Sequence, residues 1–290
     1  MSEKAVGANV RIIRSVAGEH PRGPMHGMAT LQRHLAARCP EWLFIGGQLR
    51  PGELPWVWCW EDEALLESLV RAGRPFVCGP NVLFGRSSKP CSSAAERCVC
   101  VAGSCRLLFT ESQWYADLIC RHLQPTNPAP VVLWPYPIEP IPDGPIEPAE
   151  IDVLLYLKSG RRDAVEAIQA RYNRSTVVQY GQYDRAYLAD LARRARACVY
   201  FSADDRGPLA LAEILLAGCP AVGIDRGAPW CEPGLGLHVD RLDDVPALVD
   251  AIEDLHEWHR EDVRARALAR FDAGRTVQIV LDSLDQARRA

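Results

Sequence analysis

Lysine is scarce in this sequence of 290 residues, where only Lys4, Lys89 and Lys158 occur and arginine supplies the other basic side chains. Neither sign of charge dominates, since 33 basic residues stand against 37 acidic ones and the formal net charge is −4. This balance excludes a global basic field that would draw the protein to nucleic acid or to anionic membranes. Residues 1–130 carry a net charge of +3 and the remainder carries −7, so the first part of the chain is mildly basic.

Long hydrophobic runs are also missing. No stretch approaches the ~18 consecutive apolar residues of a membrane-spanning helix, and residues 1–20 lack the continuous apolar segment of a secretory signal. We therefore expect a cytoplasmic protein without a transmembrane segment. Hydrophobic residues make up 48% of the chain and charged residues 24%, a globular composition that excludes a mainly disordered protein.

The eleven cysteines are an odd number, so disulfides cannot pair all of them. Several, such as Cys78 and Cys198, lie inside apolar runs, which is typical of buried free thiols in a reducing compartment. A zinc site is the alternative for the group formed by Cys91, Cys98, Cys100 and Cys105. Their spacings contain no paired C-x2-C knuckles and no histidine lies nearby, so the pattern favours structural thiols.

Strand and helix patterns alternate from Asn9 to Phe109, which predicts crossover units on a parallel sheet. Period-two spacing places Trp56, Trp58 and Trp60 on one face of a predicted strand, either in the core or stacked on a base or sugar. Nine prolines between Pro125 and Pro148 then allow neither a helix nor a central strand. The alternation resumes at Ile151 and ends in three helical patterns.

We therefore predict an α/β protein with two doubly wound, Rossmann-like domains facing a cleft. Residues 1–130 form the first domain and residues 131–150 a proline-rich linker. Residues 151–290 form the second domain, which includes the terminal helices.

The densest chemical signal lies in residues 200–222. A strand ends near Phe201, a short acidic turn with Gly207 follows, and a helix begins near Pro208, a good first helical residue. The amino end of such a helix is a ready site for phosphate, because its N–H groups are unpaired and its dipole is positive. Glu213 lies in the second turn, where its carboxylate can accept hydrogen bonds from two vicinal ribose hydroxyls. The equally weighted alternative is a core helix that tolerates one acidic residue.

This stretch resembles the E-x7-E element of the retaining GT-B glycosyltransferases, notably the large family 4 of the group 1 type. Asp205-x7-Glu213 followed by Ala217-Gly-Cys-Pro-Ala-Val222 carries the resemblance. The order of the surrounding elements is similar as well: Leu155-Tyr-Leu-Lys158-Ser-Gly-Arg161-Arg162, Thr176-Val-Val-Gln-Tyr-Gly181, Gly227-Ala-Pro-Trp and Gly234-Leu-Gly-Leu-His-Val. The likeness covers residues 150–290 well and residues 1–130 only in outline.

The resemblance implies roles for individual residues. Glu213 would hold the ribose of a nucleotide sugar, and Asp205 would contact the sugar hydroxyls. Lys158 with Arg162, or with Arg161, would neutralise the diphosphate leaving group. The alternative for the two arginines is that they are ordinary solvated charges in the first turn of a helix. The expected catalytic residues are Lys158, Arg162, Asp205 and Glu213. The expected donor-binding residues are Gly27, Arg161, Gly181, Gln182, Arg206, Gly207 and Leu209, and the candidate acceptor-side residues are His26, Asn81 and Glu61.

Several positions depart from the family pattern. The first glutamate of the motif is Asp205 here, and the usual glycine-aromatic-glycine is Arg206-Gly207-Pro208. Pro208 removes one backbone N–H that would otherwise reach phosphate, and Arg206 either replaces it or marks a different sugar subsite. In the first domain, Gly23-Pro-Met-His26-Gly27-Met resembles the glycine loop that follows strand one, although such a loop is more often only a turn.

The resemblance implies a retaining, metal-independent glycosyltransferase without a cofactor. Its donor would be a UDP- or GDP-linked hexose, and its acceptor a hydroxyl on a glycan, a lipid or a modified nucleobase in DNA. A non-catalytic nucleotide or nucleotide-sugar binding protein on a degenerate GT-B scaffold is the alternative, which the altered glycine motif motivates. A sugar-nucleotide epimerase or a phosphorylase of the same architecture is a third hypothesis.

Overall fold

The computed structural model describes residues 7–13, 25–59, 63–81, 103–110, 130–133, 138, 145–146, 148–159, 162–202, 209–224 and 233–290. Contacts divide the chain into two compact units. The first comprises the described residues of Met1–Gly18, Leu31–Pro135 and Gly274–Ala290, and the second those of Glu19–Thr30 and Tyr136–Ala273.

A parallel sheet of six described strands forms the centre of the first unit, in the order β2-β1-β3-β4-β5-β6. The strands are β1 (Val10–Ile13), β2 (Leu43–Ile45), β3 (Leu54–Cys59), β4 (Phe76–Asn81), β5 (Cys105–Thr110) and β6 (Val131–Leu133). Helix α1 (Met25–Ala37) follows β1, and α2 (Glu63–Arg71) follows β3. Leu66 and Leu69 of α2 are buried, as their helical spacing predicts.

The aromatic side chains of β3 fill the core of the first unit. Trp56 and Trp58 are 0% and 1% exposed. The centroid of the Trp56 ring lies 5.1 Å from that of Trp58 and 5.2 Å from that of Phe109. The indole N–H of Trp56 donates to the carbonyl of Gly79 at 2.9 Å. Gly79 has a φ of +96°, and a Cβ there would lie 2.2 Å from the Phe109 carbonyl oxygen. The core interpretation of Trp56 and Trp58 is therefore confirmed, while Trp60 lies outside the described residues.

A buried ion pair links β1 to the start of β3. Arg11 and Glu53 are each 6% exposed, and the guanidinium donates to both carboxylate oxygens at 2.5 and 2.7 Å. Arg11 also donates to the carbonyl of Gly46 at 2.7 Å, and the Arg50 N–H donates to Glu53 at 2.8 Å. These bonds hold the pKa of Glu53 below its usual value, with the Arg11 hydrogen bond as the largest cause.

Two segments differ from the predicted division of the chain. Residues 131–133, assigned to the linker, form the edge strand β6, where flanking prolines leave the pairing with β5 intact. The last helix, α8 (Ala273–Arg289), lies almost entirely in the first unit, although its sequence position suggested the second. Arg288 donates to the carbonyl of Gly7 at 3.0 Å and lies 4.7 Å from the ring centroid of Trp42.

The second unit contains a parallel sheet of five described strands in the order β11-β10-β9-β7-β8. The strands are β7 (Ile151–Leu157), β8 (Ser175–Gln179), β9 (Ala195–Phe201), β10 (Ala221–Gly223) and β11 (Gly236–His238). The helices are α3 (Arg162–Arg171), α4 (Arg185–Arg194), α5 (Leu209–Leu216), α6 (Val245–His256) and α7 (Arg260–Arg270). Val153, Leu155 and Val199 form one buried cluster with residues of α3 and α6. Crossover helices between parallel strands are the doubly wound arrangement that the alternating pattern predicts.

Four of the described cysteines are buried free thiols, as their apolar surroundings in the sequence predict. Cys78, Cys105, Cys198 and Cys219 are free and buried, whereas Cys39 is free and exposed. Burial raises the pKa of Cys219 to about 12. Of the proposed zinc group, Cys105 belongs to β5 and the other three lie outside the described residues. Within the described part of the chain, no cluster of three or more His, Cys, Asp or Glu side chains is arranged to hold a metal ion, and no helix is long and apolar enough to cross a membrane.

Candidate functional site

The candidate site lies within the second unit, where strands β7, β8 and β9 end at the same edge of the sheet. The backbone N–H groups of Lys158 and Ser159 both donate to the carbonyl of Phe201, at 3.1 and 3.0 Å. These two bonds extend the β7–β9 pairing by two residues and hold the Lys158 backbone at the sheet edge. The Oγ of Ser202 is buried there and has no hydrogen-bond partner among the described residues. Ligands of doubly wound sheets collect at this edge.

A tight turn follows β8. The Gln182 N–H donates to the Gln179 carbonyl at 3.1 Å, and Gly181 takes a φ of +77° at the third position of the turn. Glycine adopts a positive φ without steric cost, which explains the residue at this position. The Tyr180 N–H and the Gln179 side-chain amide both donate to the carbonyl of Leu157, at 2.9 and 3.1 Å. The turn is therefore attached to the strand that carries Lys158.

Lys158 and Tyr180 meet across these two strand ends. The Lys158 Nζ lies 5.2 Å from the centroid of the Tyr180 ring, a cation–π distance. Tyr180 is 42% exposed, so its ring is also accessible to a ligand.

A stack of tyrosines lies beneath this edge. The rings of Tyr156 on β7 and Tyr200 on β9 are parallel within 2° and their centroids are 4.9 Å apart. The hydroxyl of Tyr156 is 2.7 Å from that of Tyr183, and their rings pack edge to face at 5.8 Å. Asp184 then caps α4 by accepting a hydrogen bond from the Tyr187 N–H at 2.8 Å. The stack thereby joins the sheet to the segment that starts α4.

Glu213 is buried in the second turn of α5 and contacts Arg185, which is the first residue of α4. The Glu213 Oε1 lies 2.7 Å from the Arg185 Nε, and the two side chains are 9% and 26% exposed. Burial raises the pKa of Glu213, and the charge of Arg185 opposes that rise. In either predicted role, as a ribose ligand or as an acid within a core helix, Glu213 is therefore a buried acid in contact with an arginine.

The structure places the predicted donor residues in different settings. Lys158, Gly181 and Gln182 come together around Tyr180, while Glu213 pairs with Arg185. Arg162 is exposed at the start of α3, and Leu209 begins α5. Asp205, Arg161, Arg206 and Gly207 lie outside the described residues.

The site residues predicted in the first domain are His26, Gly27, Asn81 and Glu61, and the structure gives backbone positions for the first three. Helix α1 begins at Met25, so His26 and Gly27 lie in its first turn rather than in the glycine loop that the sequence suggested. The loop interpretation of these two residues is therefore wrong, because one glycine is tolerated in a helix. Asn81 ends β4, and Glu61 lies outside the described residues. The side chains of His26 and Asn81 are not among those described.

Sequence reasoning missed Arg185 and the tyrosines at positions 156, 183 and 200. Arg185 directly follows the capping residue Asp184, and a basic side chain there reads as an ordinary surface residue. Its partner lies on another helix, so no local spacing reveals the pair. The spacing Tyr180-x2-Tyr183 is the one local signal of an aromatic group beside the turn.

No protein-family model matches the sequence, and no curated protein sequence matches it. Solved structures do match along nearly the whole chain. Sucrose-phosphate synthase from Thermosynechococcus elongatus is 14% identical with a TM-score of 0.66, and the match covers 96% of this chain and 98% of that one. The trehalose-6-phosphate synthase OtsA is 11% identical with a TM-score of 0.67 over 96% of this chain and 99% of that one. HepE from Anabaena, solved in complex with UDP, is 12% identical with a TM-score of 0.61 over 96% and 100%.

These matches agree with the two parallel sheets and their crossover helices. The chain has the GT-B fold with two Rossmann-like units, and the predicted fold class is confirmed. At these identities the likeness establishes the fold alone.

Proposed function

We propose that this GT-B chain is a glycosyltransferase that moves a hexose from a nucleotide diphosphate sugar to a hydroxyl acceptor. The observation that carries the proposal is the placement of Lys158 and Glu213. The first follows β7 at the carboxyl edge of the second sheet, and the second lies in the helix that follows β9. Both sites are where a doubly wound domain binds a nucleotide. Each residue also occupies its place in the order of motifs described above.

In this proposal the donor binds along the carboxyl edge of the second sheet. The nucleotide base lies against the Tyr180-Gly181-Gln182 turn, where the absence of a side chain at Gly181 leaves the backbone accessible. Glu213 accepts hydrogen bonds from the ribose hydroxyls. Lys158 and Arg162 supply positive charge for the diphosphate, together with Arg161. UDP and GDP are the nucleotides to test, and HepE in complex with UDP is a structural precedent for the first.

The proposed reaction retains the configuration at the anomeric carbon. The bond between that carbon and the diphosphate oxygen breaks, and a bond to the acceptor oxygen forms on the same side of the sugar. A departing diphosphate oxygen takes the acceptor proton, so no side-chain nucleophile is required. Negative charge grows on the diphosphate as the bond stretches, and fixed cations such as Lys158 stabilise that transition state more than the ground state. We propose that these cations act without a metal ion.

The acceptor that we propose is a hydroxyl on a glycan or a lipid. A modified nucleobase was a further candidate, supported by tryptophans that would stack on a base. Trp56 and Trp58 are buried in the core of the first unit and are not available for that contact.

Incubation of the purified chain with UDP- and GDP-hexoses and a panel of glycan and lipid acceptors tests the function. We expect transfer to one acceptor class, release of the nucleoside diphosphate, and an α-linked product from an α-linked donor by proton NMR. Activity in excess chelator tests metal independence. Nucleotide binding by calorimetry without turnover on any acceptor would instead support a non-catalytic nucleotide-binding protein.

A further inference from the structure

Arg185 contacts the Glu213 carboxylate from a separate helix and belongs to none of the motifs that led to the proposed donor site. Its Nε lies 2.7 Å from Oε1 of Glu213. Asp184 caps α4 immediately before it, so the backbone of Arg185 is held at the amino end of that helix. The Arg185 side chain is 26% exposed and that of Glu213 is 9% exposed. The pair thus spans from the interior to the surface.

A carboxylate buried to this extent is costly to keep ionised unless a positive group lies next to it. The Arg185 Nε supplies that positive group, at 2.7 Å from Oε1 of Glu213. A carboxylate accepts stronger hydrogen bonds than a neutral acid, so an ionised Glu213 is the better acceptor for the ribose hydroxyls.

We infer that Arg185 is a positioning residue for the donor site: its positive charge, in contact with the buried Glu213, holds that side chain as the carboxylate to which the ribose hydroxyls donate. This inference rests on the proposed function, because it takes the ribose as the ligand of Glu213. It adds a residue on α4 to a site otherwise formed by the strand ends and α5.

Several of the other charged groups around α5 have partners elsewhere. Helices α4 and α7 and strand β10 pack against α5, and β10 carries no charge. On α4, Asp190 pairs with Arg193 and Arg194, and Arg194 also pairs with Glu150. On α7, Arg260 donates to the carbonyls of Ala192 and Arg193, and Arg266 to that of Pro233. The remaining charged residues of α7 are Glu261, Asp262, Arg264 and Arg270. Among the described residues, Arg185 is the charged group that shifts the pKa of Glu213.

The test measures the dissociation constants of UDP and GDP by calorimetry from about pH 5.5 to 8. The proteins are the wild type, Arg185→Ala, Arg185→Lys and the control Arg193→Ala, which removes another partly exposed arginine from the same helix. Dividing each variant's constant by that of the wild type at the same pH cancels the titration of the nucleotide itself.

We expect Arg185→Ala to weaken binding more at low pH than at high pH. Without the arginine the Glu213 pKa rises further, and below that pKa the affinity falls by about tenfold per pH unit. The dissociation constant of Arg185→Lys should depend less on pH than that of Arg185→Ala, and that of Arg193→Ala should equal the wild-type value at each pH. In the double variant Arg185→Ala with Glu213→Gln, the pH dependence should disappear, because the titrating group is gone.

The inference is overturned if the wild type binds the nucleotide and the ratio of the Arg185→Ala dissociation constant to that of the wild type is the same at every pH. The proposed function would then still stand. If the wild type binds neither UDP nor GDP, the proposed function fails, and the ribose role of the pair fails with it. If Arg185→Ala does not fold, the lysine variant decides. Dissociation constants of Arg185→Lys that equal those of the wild type at every pH support the requirement for a positive charge. Binding that is weaker by the same factor at every pH contradicts it.

Discussion

The ammonium group of Lys158 lies 5.2 Å from the ring centroid of Tyr180, although the two residues follow different strands. The strands are neighbours in a parallel sheet, so their carboxyl ends bring the lysine and the turn together. The Tyr180 ring can therefore restrict the positions that the lysine side chain samples.

Replacement of Tyr180 tests this contact. We expect Tyr180→Leu to lower kcat/KM by about two- to fivefold, the size of a cation–π contact at a partly exposed site. Tyr180→Phe retains the ring and should stay near the wild type. Steady-state kinetics with the donor as the varied substrate measures both. Equal losses in the two variants would assign the effect to the hydroxyl group.

Removal of the Lys158 charge should affect turnover rather than folding. We expect Lys158→Ala to lower kcat by about 100-fold or more, in the range seen when one group that stabilises transition-state charge is removed. Its melting temperature should match the wild type, because the backbone bonds of residue 158 do not involve the side chain. Arg171→Ala, at the exposed end of α3, is the matched control. A drop in melting temperature that parallels the loss of turnover would indicate a structural role.

The amide variant of Glu213 tests the ribose contact. We expect Glu213→Gln to raise the dissociation constant of the nucleotide by about tenfold, since a neutral amide oxygen is a weaker acceptor than a carboxylate. The free energy of unfolding near neutral pH should change little, because loss of the ion pair and relief of carboxylate burial oppose each other. Calorimetry and urea unfolding measure the two quantities. An unchanged dissociation constant would contradict the ribose assignment.

The conformation of Gly79 should be essential for the first unit. We expect Gly79→Ala to destabilise by about 3 kcal/mol, because the new Cβ meets the Phe109 carbonyl oxygen and the φ of +96° is unfavourable for alanine. Gly73→Ala is the control: its φ is also positive, but no atom lies within 4 Å of the added Cβ. It should cost about 1 kcal/mol. Urea unfolding compares the variants, and equal losses would argue against the steric contribution.

The Arg11–Glu53 pair should make stability depend on pH. The pKa of Glu53 is lowered in the folded protein, so its contribution is present above the unfolded value of about 4.3 and is lost as the pH falls through the folded value. We expect Glu53→Gln to cost at least about 2 kcal/mol near neutral pH, with a smaller difference in acid. Asp243→Asn, which removes the partner of the exposed Arg241, should leave the unfolding midpoint unchanged. A constant difference at all pH values would contradict the ionised pair.

Sequence periodicity predicted the second unit well. Strand β7 begins at Ile151, where the alternation was predicted to resume, and the helix that carries Glu213 begins at Leu209, next to the predicted start near Pro208. These elements follow from local apolar spacing, which the chain itself displays. The proline-flanked strand β6 was not predicted, because its pairing with β5 is not visible in the local spacing of residues 131–133.

The candidate site was predictable only in part, for the same physical reason. The positions of Lys158 and Gly181 follow from where their strands end, which is a local property. The pairing of Arg185 with Glu213 depends on two helices that pack together, and the pattern of neither helix contains that information. Likewise, the membership of α8 in the first unit depends on contacts with Gly7 and Trp42, far away in the sequence.

The position of α8 has a consequence for the order in which the protein forms during translation. Strands β1 to β6 leave the ribosome early, but the contacts of Arg288 with Gly7 and Trp42 cannot form until the last turns of α8 have been made. All the described strands and helices α3 to α7 of the second unit are synthesised in the interval, which lasts roughly ten seconds or longer at ordinary translation rates. The unit that is started first is therefore completed last, because its contacts with α8 can form only after the second unit has been synthesised.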